Sequence, residues 1–146
     1  MAARFDLGGR TALVTGAARG LGRAIALAFA EAGADVALGL RDVSRDDGLA
    51  DEIRSLGRRA LPLQMDVGEL DQIDGAVAAA VEEFGGLDLL VNNAGGGEPD
   101  RPVEEVSLAA FQRTLDVNLR GTFFTCQAAF PSMRERGFGR IVNVSS

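Results

Sequence analysis

The chain contains no histidine and no tyrosine, and all fifteen of its basic residues are arginine, so lysine is absent as well. Each gap closes a chemistry. Without histidine no metal site can be built on imidazole, and the single cysteine, Cys126, cannot make a zinc thiolate cluster, so no metal is expected. Neither a Ser-His-Asp nor a Cys-His nucleophile system can be assembled. One cysteine also excludes an internal disulfide, which agrees with a reducing compartment. Long apolar runs are missing too. The longest, Ala24 to Ala30, is far too short to span a bilayer, and the opening Met-Ala-Ala-Arg-Phe-Asp has no apolar signal region. These absences point to a cytoplasmic protein without a membrane partner. Excess positive charge is the last gap. A net charge of -6 and a pI near 4.6 argue against a nucleic-acid partner, and the scattered charges read as solvated surface. Cys126, among Phe123, Phe124, Ala128 and Ala129, reads as a core filler rather than a redox thiol.

What is present is a globular composition, 47% apolar and 25% charged, in 146 residues. That is enough for one domain, residues 1–146, with a sizeable core. The most informative stretch is Thr15 to Gly22, reading Thr-Gly-Ala-Ala-Arg-Gly-Leu-Gly. It follows a strand-length run, Thr11 to Thr15. It precedes a helical pattern from Leu21 to Ala32, with Leu21, Ile25, Ala28 or Phe29, and Ala32 on one face. A glycine-rich turn from a strand into a helix N-terminus is a phosphate site, because unpartnered N–H groups and the helix dipole both favour an anion. Glycine lets the backbone approach a pyrophosphate that any Cβ would hold away.

Strand and helix patterns alternate along the whole chain, with no linker, repeat or low-complexity tract. Such alternation implies a parallel sheet covered on both faces. In a Rossmann-type doubly wound α/β fold the expected strand order is 3-2-1-4-5. The second strand is expected over Asp35 to Leu40, and a helix from near Ser44 to near Gly57, with Ser44 and Asp47 at capping-box spacing. The third strand, Ala60 to Met65, contains Pro62 and so belongs at an edge. A helix follows from Glu69 to Phe84, with Leu70, Ile73, Val77, Ala80, Val81 and Phe84 as its stripe. The fourth strand spans Leu87 to Val91, and a glycine- and proline-bearing loop runs from Gly95 to Val106. A long helix is expected from Ser107 to Met133 or Arg136, and a last strand from Arg140 to Ser145. The long helix carries apolar residues around much of its circumference: Leu108, Phe111, Leu115, Leu119, Phe123, Phe124, Phe130 and Met133. It needs a partner besides the sheet.

A second motif, Asn92-Asn93-Ala94-Gly95, follows the fourth strand. With Thr-Gly-x-x-x-Gly-x-Gly after the first, it resembles the short-chain dehydrogenase/reductase family, from about Gly9 to Ser146. The resemblance implies that Thr15, Gly16, Arg19, Gly20, Leu21 and Gly22 surround the pyrophosphate of a nicotinamide dinucleotide. Thr15 would tie the turn to the sheet. Asp66 and Val67 would meet the adenine, although Asp66 could merely cap the next helix. Asn93, Ala94 and Gly95 would line the ribose, and Asn92 reads as structural. Leu40 occupies the slot where an acidic residue would bind a ribose 2′-hydroxyl. Arg41 follows it, and Arg19 is a second cation within reach. Both favour NADP over NAD, with Asp42 leaving room for NAD.

The family transfers hydride between nicotinamide and a carbonyl or alcohol carbon of a small molecule. A Tyr moves the proton, with its pKa lowered by a Lys, since a phenol near pKa 10 needs a cation beside it to act as base at neutral pH. Asn118 matches the family's helix Asn, and Ser146, rather than Ser145, matches its catalytic Ser. The Tyr-x-x-x-Lys motif is not among these residues. The chain is therefore expected to be the amino-terminal part of a longer enzyme, truncated before its remaining strands and inactive alone. A homo-oligomer is expected through the helix over 107–136, which forms a subunit interface in the family. The alternatives are a non-catalytic dinucleotide-binding module and a methyltransferase. An acidic residue after the second strand would suit the latter, and Leu40-Arg41 disfavours it. Neither accounts for Asn-Asn-Ala-Gly.

Overall fold

The computed structural model describes residues 5–97 and 101–145. Five parallel strands form one sheet: β1 (Thr11–Thr15), β2 (Asp35–Leu40), β3 (Ala60–Gln64), β4 (Leu89–Asn92) and β5 (Arg140–Asn143). Their order is β3-β2-β1-β4-β5, the order expected of a Rossmann-type fold. β3 lies at an edge, where Pro62, opposite Leu38, has no neighbour that needs its missing N–H.

Side-chain alternation divides the core between the two faces. Leu13, Ala37 and Leu90 point to one face, under helices α3 (Leu70–Phe84) and α5 (Gly121–Arg136). Val14, Val36, Leu38 and Val91 point to the other, under α1 (Gly20–Glu31) and α2 (Leu49–Ser55). Both faces are dry, which explains why the central strands read as continuous apolar runs. Truncating a fully buried leucine such as Leu13 to alanine would cost about 2–5 kcal/mol.

Two local expectations are corrected. The helix expected from near Ser44 begins at Leu49. Asp42 intervenes: its Oδ1 accepts from the Ser44 N–H at 3.0 Å and from the Ser44 hydroxyl at 2.6 Å, closing a single 3-10 turn over Val43–Arg45. Ser44 therefore lies inside that turn, and Gly48 rather than Ser44 stands at the N-cap of α2. Asp47 (φ 49°) and Gly48 (φ 79°) are then left-handed in succession, so no α-helix can pass through them. The second correction concerns α1. Its buried face is Gly22, Ala26 and Ala30, while Leu21 is 57% exposed. The small residues let the helix lie close on the sheet, and the bulkier Ile25 and Phe29 flank the contact. In α3, Leu70 is likewise partly exposed, and Ala76 joins the stripe.

The long helix exists in three contiguous pieces: α4 (Leu108–Leu115), a five-residue π turn (Asp116–Arg120) and α5. Ser107 caps α4 by accepting from the Ala110 N–H at 3.1 Å. The buried face of α5 is Gly121, Thr125, Ala129 and Met133, four residues apart. Among the described residues, Leu108, Phe111, Leu115, Leu119, Phe123 and Phe130 are exposed on the other side. Among the described residues no helix is long and apolar enough to cross a membrane.

Candidate dinucleotide site

In a parallel sheet all carboxyl ends open on one side, and the loops leaving them converge. A cleft of about 560 Å³ lies there. Gly16, Ala18, Arg19 and Gly20 wall it after β1, and Leu40, Arg41, Asp42, Arg45 and Asp47 after β2. Met65, Asp66 and Val67 close the β3 side, Asn93 to Gly97 the β4 side, and Arg113 and Val117 face it from the long helix.

Thr15 and Asn93 lock the two motifs together. The Thr15 hydroxyl oxygen accepts from the N–H groups of Asn93 and Ala94, both at 3.0 Å, and donates to the Val91 carbonyl at 3.4 Å. The Asn93 amide donates to the carbonyls of Thr15 and Gly16 at 3.1 and 3.2 Å. Thr15 itself is buried beneath the cleft. Gly16 has φ 65°, and a Cβ there would sit 2.9 Å from the Ala94 Cα. At Gly22 a Cβ would come within 2.2 Å of the Gly16 carbonyl oxygen. That glycine serves the packing of helix against turn, and neither it nor Leu21 lines the cleft. Gly20, by contrast, has φ 56° and open space where a side chain would stand. The turn therefore presents bare backbone to the cleft at the start of α1, a cradle that fits a pyrophosphate.

Asp66 is half-buried on the cleft wall. Its Oδ1 accepts from the Gly68 N–H at 2.9 Å, while Glu69 is the residue that opens α3. Gly121 brings the long helix against this segment, because a Cβ there would lie 2.5 Å from the Val67 carbonyl oxygen. Asn92 turns away from the cleft and donates to Asn143 Oδ1 at 2.9 Å and to Cys126 Sγ at 3.2 Å. Its place is structural, as its motif position suggests.

Asn118 sits in the π turn and spends its side chain on the glycine loop. Its Oδ1 accepts from the Gly96 N–H at 3.2 Å, and its amide donates to the carbonyls of Gly96 and, at 2.9 Å, Thr114. No simple helix surface explains that set of partners. The Asn118 carbonyl accepts from the Thr122 hydroxyl at 3.1 Å. Ser146 lies outside the described residues.

Four arginines, Arg19, Arg41, Arg45 and Arg113, line the cleft, and none forms an ion pair among the described residues. Three carboxylates border it too. The Ser44 hydroxyl and N–H hold the Asp42 carboxyl below its ordinary pKa, so it stays charged but turned into its own 3-10 turn. Arg45 and Arg113 carry no motif, and only their place in the fold brings them here.

The family profile for short chain dehydrogenase matches residues 10–146. A cyclohexanol dehydrogenase of Rhodococcus sp. (strain TK6) is 42% identical over 162 residues, with 100% of this chain and 60% of that protein covered. Among solved structures, a short-chain type dehydrogenase/reductase from Mycobacterium marinum gives a TM-score of 0.92 at 42% identity, covering 98% of this chain and 58% of that one. A short chain dehydrogenase from Burkholderia cenocepacia J2315 in complex with NADP gives 0.88 at 39% identity (96% and 56% covered). Carveol dehydrogenase from Mycobacterium avium in complex with NAD gives 0.88 at 32% (97% and 56% covered). The chain spans between 28% and 60% of the length of the curated relatives compared with it. Profile, relatives and sheet order agree, and the chain belongs to the short-chain dehydrogenase family of oxidoreductases.

Proposed function

We propose that the full-length protein is an NADP-dependent oxidoreductase acting on a small carbonyl or alcohol compound in the cytoplasm. The observation that carries the cofactor choice is that Arg19 and Arg41 both line the cleft, beside an Asp42 carboxylate already engaged by Ser44. A ribose 2′-hydroxyl needs an acceptor at that point, whereas a 2′-phosphate needs cations. When bound, the dinucleotide supplies or accepts the hydride. Gly16, Gly20 and the opening of α1 receive the pyrophosphate, with Gly22 and Leu21 shaping the turn and Thr15 anchoring it. Asp66 and Val67 bound the adenine, and Asn93, Ala94 and Gly95 the ribose. Asn118 holds the glycine loop at the reacting end, and Ser146 hydrogen-bonds the substrate oxygen.

These 146 residues hold no phenol and no ammonium side chain, so the proton-transfer groups of the reaction are not among them. The chain is the cofactor-binding portion of the reaction and does not turn over by itself. The exposed apolar side of the long helix, over 107–136, packs against a second copy.

The test is steady-state kinetics of the full-length protein with a panel of cyclic and aliphatic ketones and either reduced dinucleotide. The kcat/KM with NADPH is expected to exceed that with NADH by about tenfold or more, one charge-assisted contact's worth. Arg41→Asp is expected to reverse the order. Equal or opposite preference in the unmodified protein overturns the cofactor assignment.

A further inference from the structure

Arg45 and Gln64 belong to no motif, yet they sit on either side of the segment that discriminates between cofactors. Gln64 is the last residue of the edge strand β3. Its side-chain amide donates to the Arg41 carbonyl at 2.7 Å, and its Oε1 accepts from the Val43 N–H at 3.0 Å. These bonds grip the backbone on both sides of Asp42, extending the edge pairing after the strands have ended. The amide orientation is fixed by its partners, since a flip would set nitrogen against N–H and oxygen against carbonyl. Gln64 also donates to Gln72 Oε1 at 3.1 Å, and that oxygen accepts from the Asp66 N–H at 2.8 Å. One polar chain thus joins the turn after β2 to the segment after the neighbouring β3, and both segments line the same cleft.

The grip has a consequence for charge. With Arg41 and Val43 held, the Asp42 carboxylate closes onto Ser44, and the 3-10 turn Val43–Arg45 carries Arg45 to the cleft wall. Arg45 then stands on the same cleft as Arg19 and Arg41, and Asp47 is the nearest carboxylate in sequence that shares the wall. We propose that Arg45 is a third guanidinium of the 2′-phosphate site, and that Gln64 is the positioning residue that holds the turn presenting it. This rests on the NADP reading above.

The experiment is calorimetric titration of the full-length protein with 2′,5′-ADP and with 5′-ADP, which differ only in the 2′-phosphate. The unmodified protein is expected to prefer 2′,5′-ADP. Should it bind both alike, the NADP reading itself fails. Given that preference, R45A is expected to lower it about tenfold, with 5′-ADP affinity unchanged, and R45K to restore part of it. Q64A is expected to lower the preference several-fold in the same selective way. A ratio unaltered in R45A overturns the third guanidinium. Equal losses for both nucleotides in Q64A overturn the positioning role, because a general loosening of the cleft moves both.

Discussion

Asp88 is the most consequential single residue away from the cleft. Its side chain is fully buried. Arg136 grips both oxygens, at 2.8 and 3.1 Å, and the Thr11 N–H donates to Oδ2 at 3.0 Å. Arg10 adds its charge at 3.7 Å. Burial pushes the Asp88 carboxyl up, but the Arg136 and Thr11 hydrogen bonds and the two positive charges outweigh it, and the net pKa is lowered. A carboxyl lowered in the folded state stabilises above its unfolded pKa, and that contribution disappears as pH falls through the folded pKa. Asp88→Asn is expected to cost about 3 kcal/mol near neutral pH, since it leaves Arg136 facing a group without charge. Urea unfolding of the full-length protein at several pH values checks this. The gap between variant and parent should close toward acid pH, and a constant gap would refute the linkage. Nothing in the local sequence announces the pair, because 48 positions separate the partners. The glycine turn and Asn93 were legible because their chemistry is local and their spacing short. Gly22 shows the limit: the sequence marks it as a glycine of the phosphate turn, whereas its neighbours give it a packing task.

At the scale of elements, the strands were readable from apolar runs and the alternation with helices, and the edge place of β3 from Pro62; their full order comes from the fold type. The start of α2 was not, because Asp42 competes for the Ser44 N–H and hydroxyl before a cap can form. The face of α1 was misjudged for a different reason. Hydrophobicity ranks Leu21 above Gly22, but close approach selects for small size. Apolar periodicity predicts the long helix as one piece, and the π turn within it centres on Asn118, whose ties to Gly96 no periodicity encodes. Its outer side leads to a prediction. Leu119 and Phe123 are 65% and 60% exposed, one turn apart. Leu119→Asp with Phe123→Asp in the full-length protein is expected to halve the mass seen by light scattering while leaving the melting curve cooperative. An unchanged mass would remove this helix from the subunit contact.

For the molecule as a whole, the proposed function separates binding and turnover along the chain. Residues 1–146 hold the whole cleft wall described above but no Tyr and no Lys. Expressed alone, they are expected to bind 2′,5′-ADP saturably and to leave hydride transfer at the uncatalysed level; under the proposed function the longer protein is expected to bind the nucleotide and to catalyse hydride transfer. Turnover by the 146-residue segment would show that a different proton donor serves the reaction. The fold class was legible at this scale because every level of the sequence agrees with it. The cleft was legible only in part, since Arg45 and Arg113 reach it, and Gln64 holds the turn beside it, through topology rather than through any motif.

The Thr15–Asn93 lock joins two loops that lie 78 positions apart, and it forms only when β1 and β4 are neighbours. A nucleotide that recognises both loops therefore finds nothing to hold in a partly folded chain. Occupancy of the cleft then acts as a folding ligand: at one hundred times its dissociation constant it adds about 2.7 kcal/mol to the native state by mass action alone. In a cell, the dinucleotide pool would set how long each molecule survives as well as how fast it works.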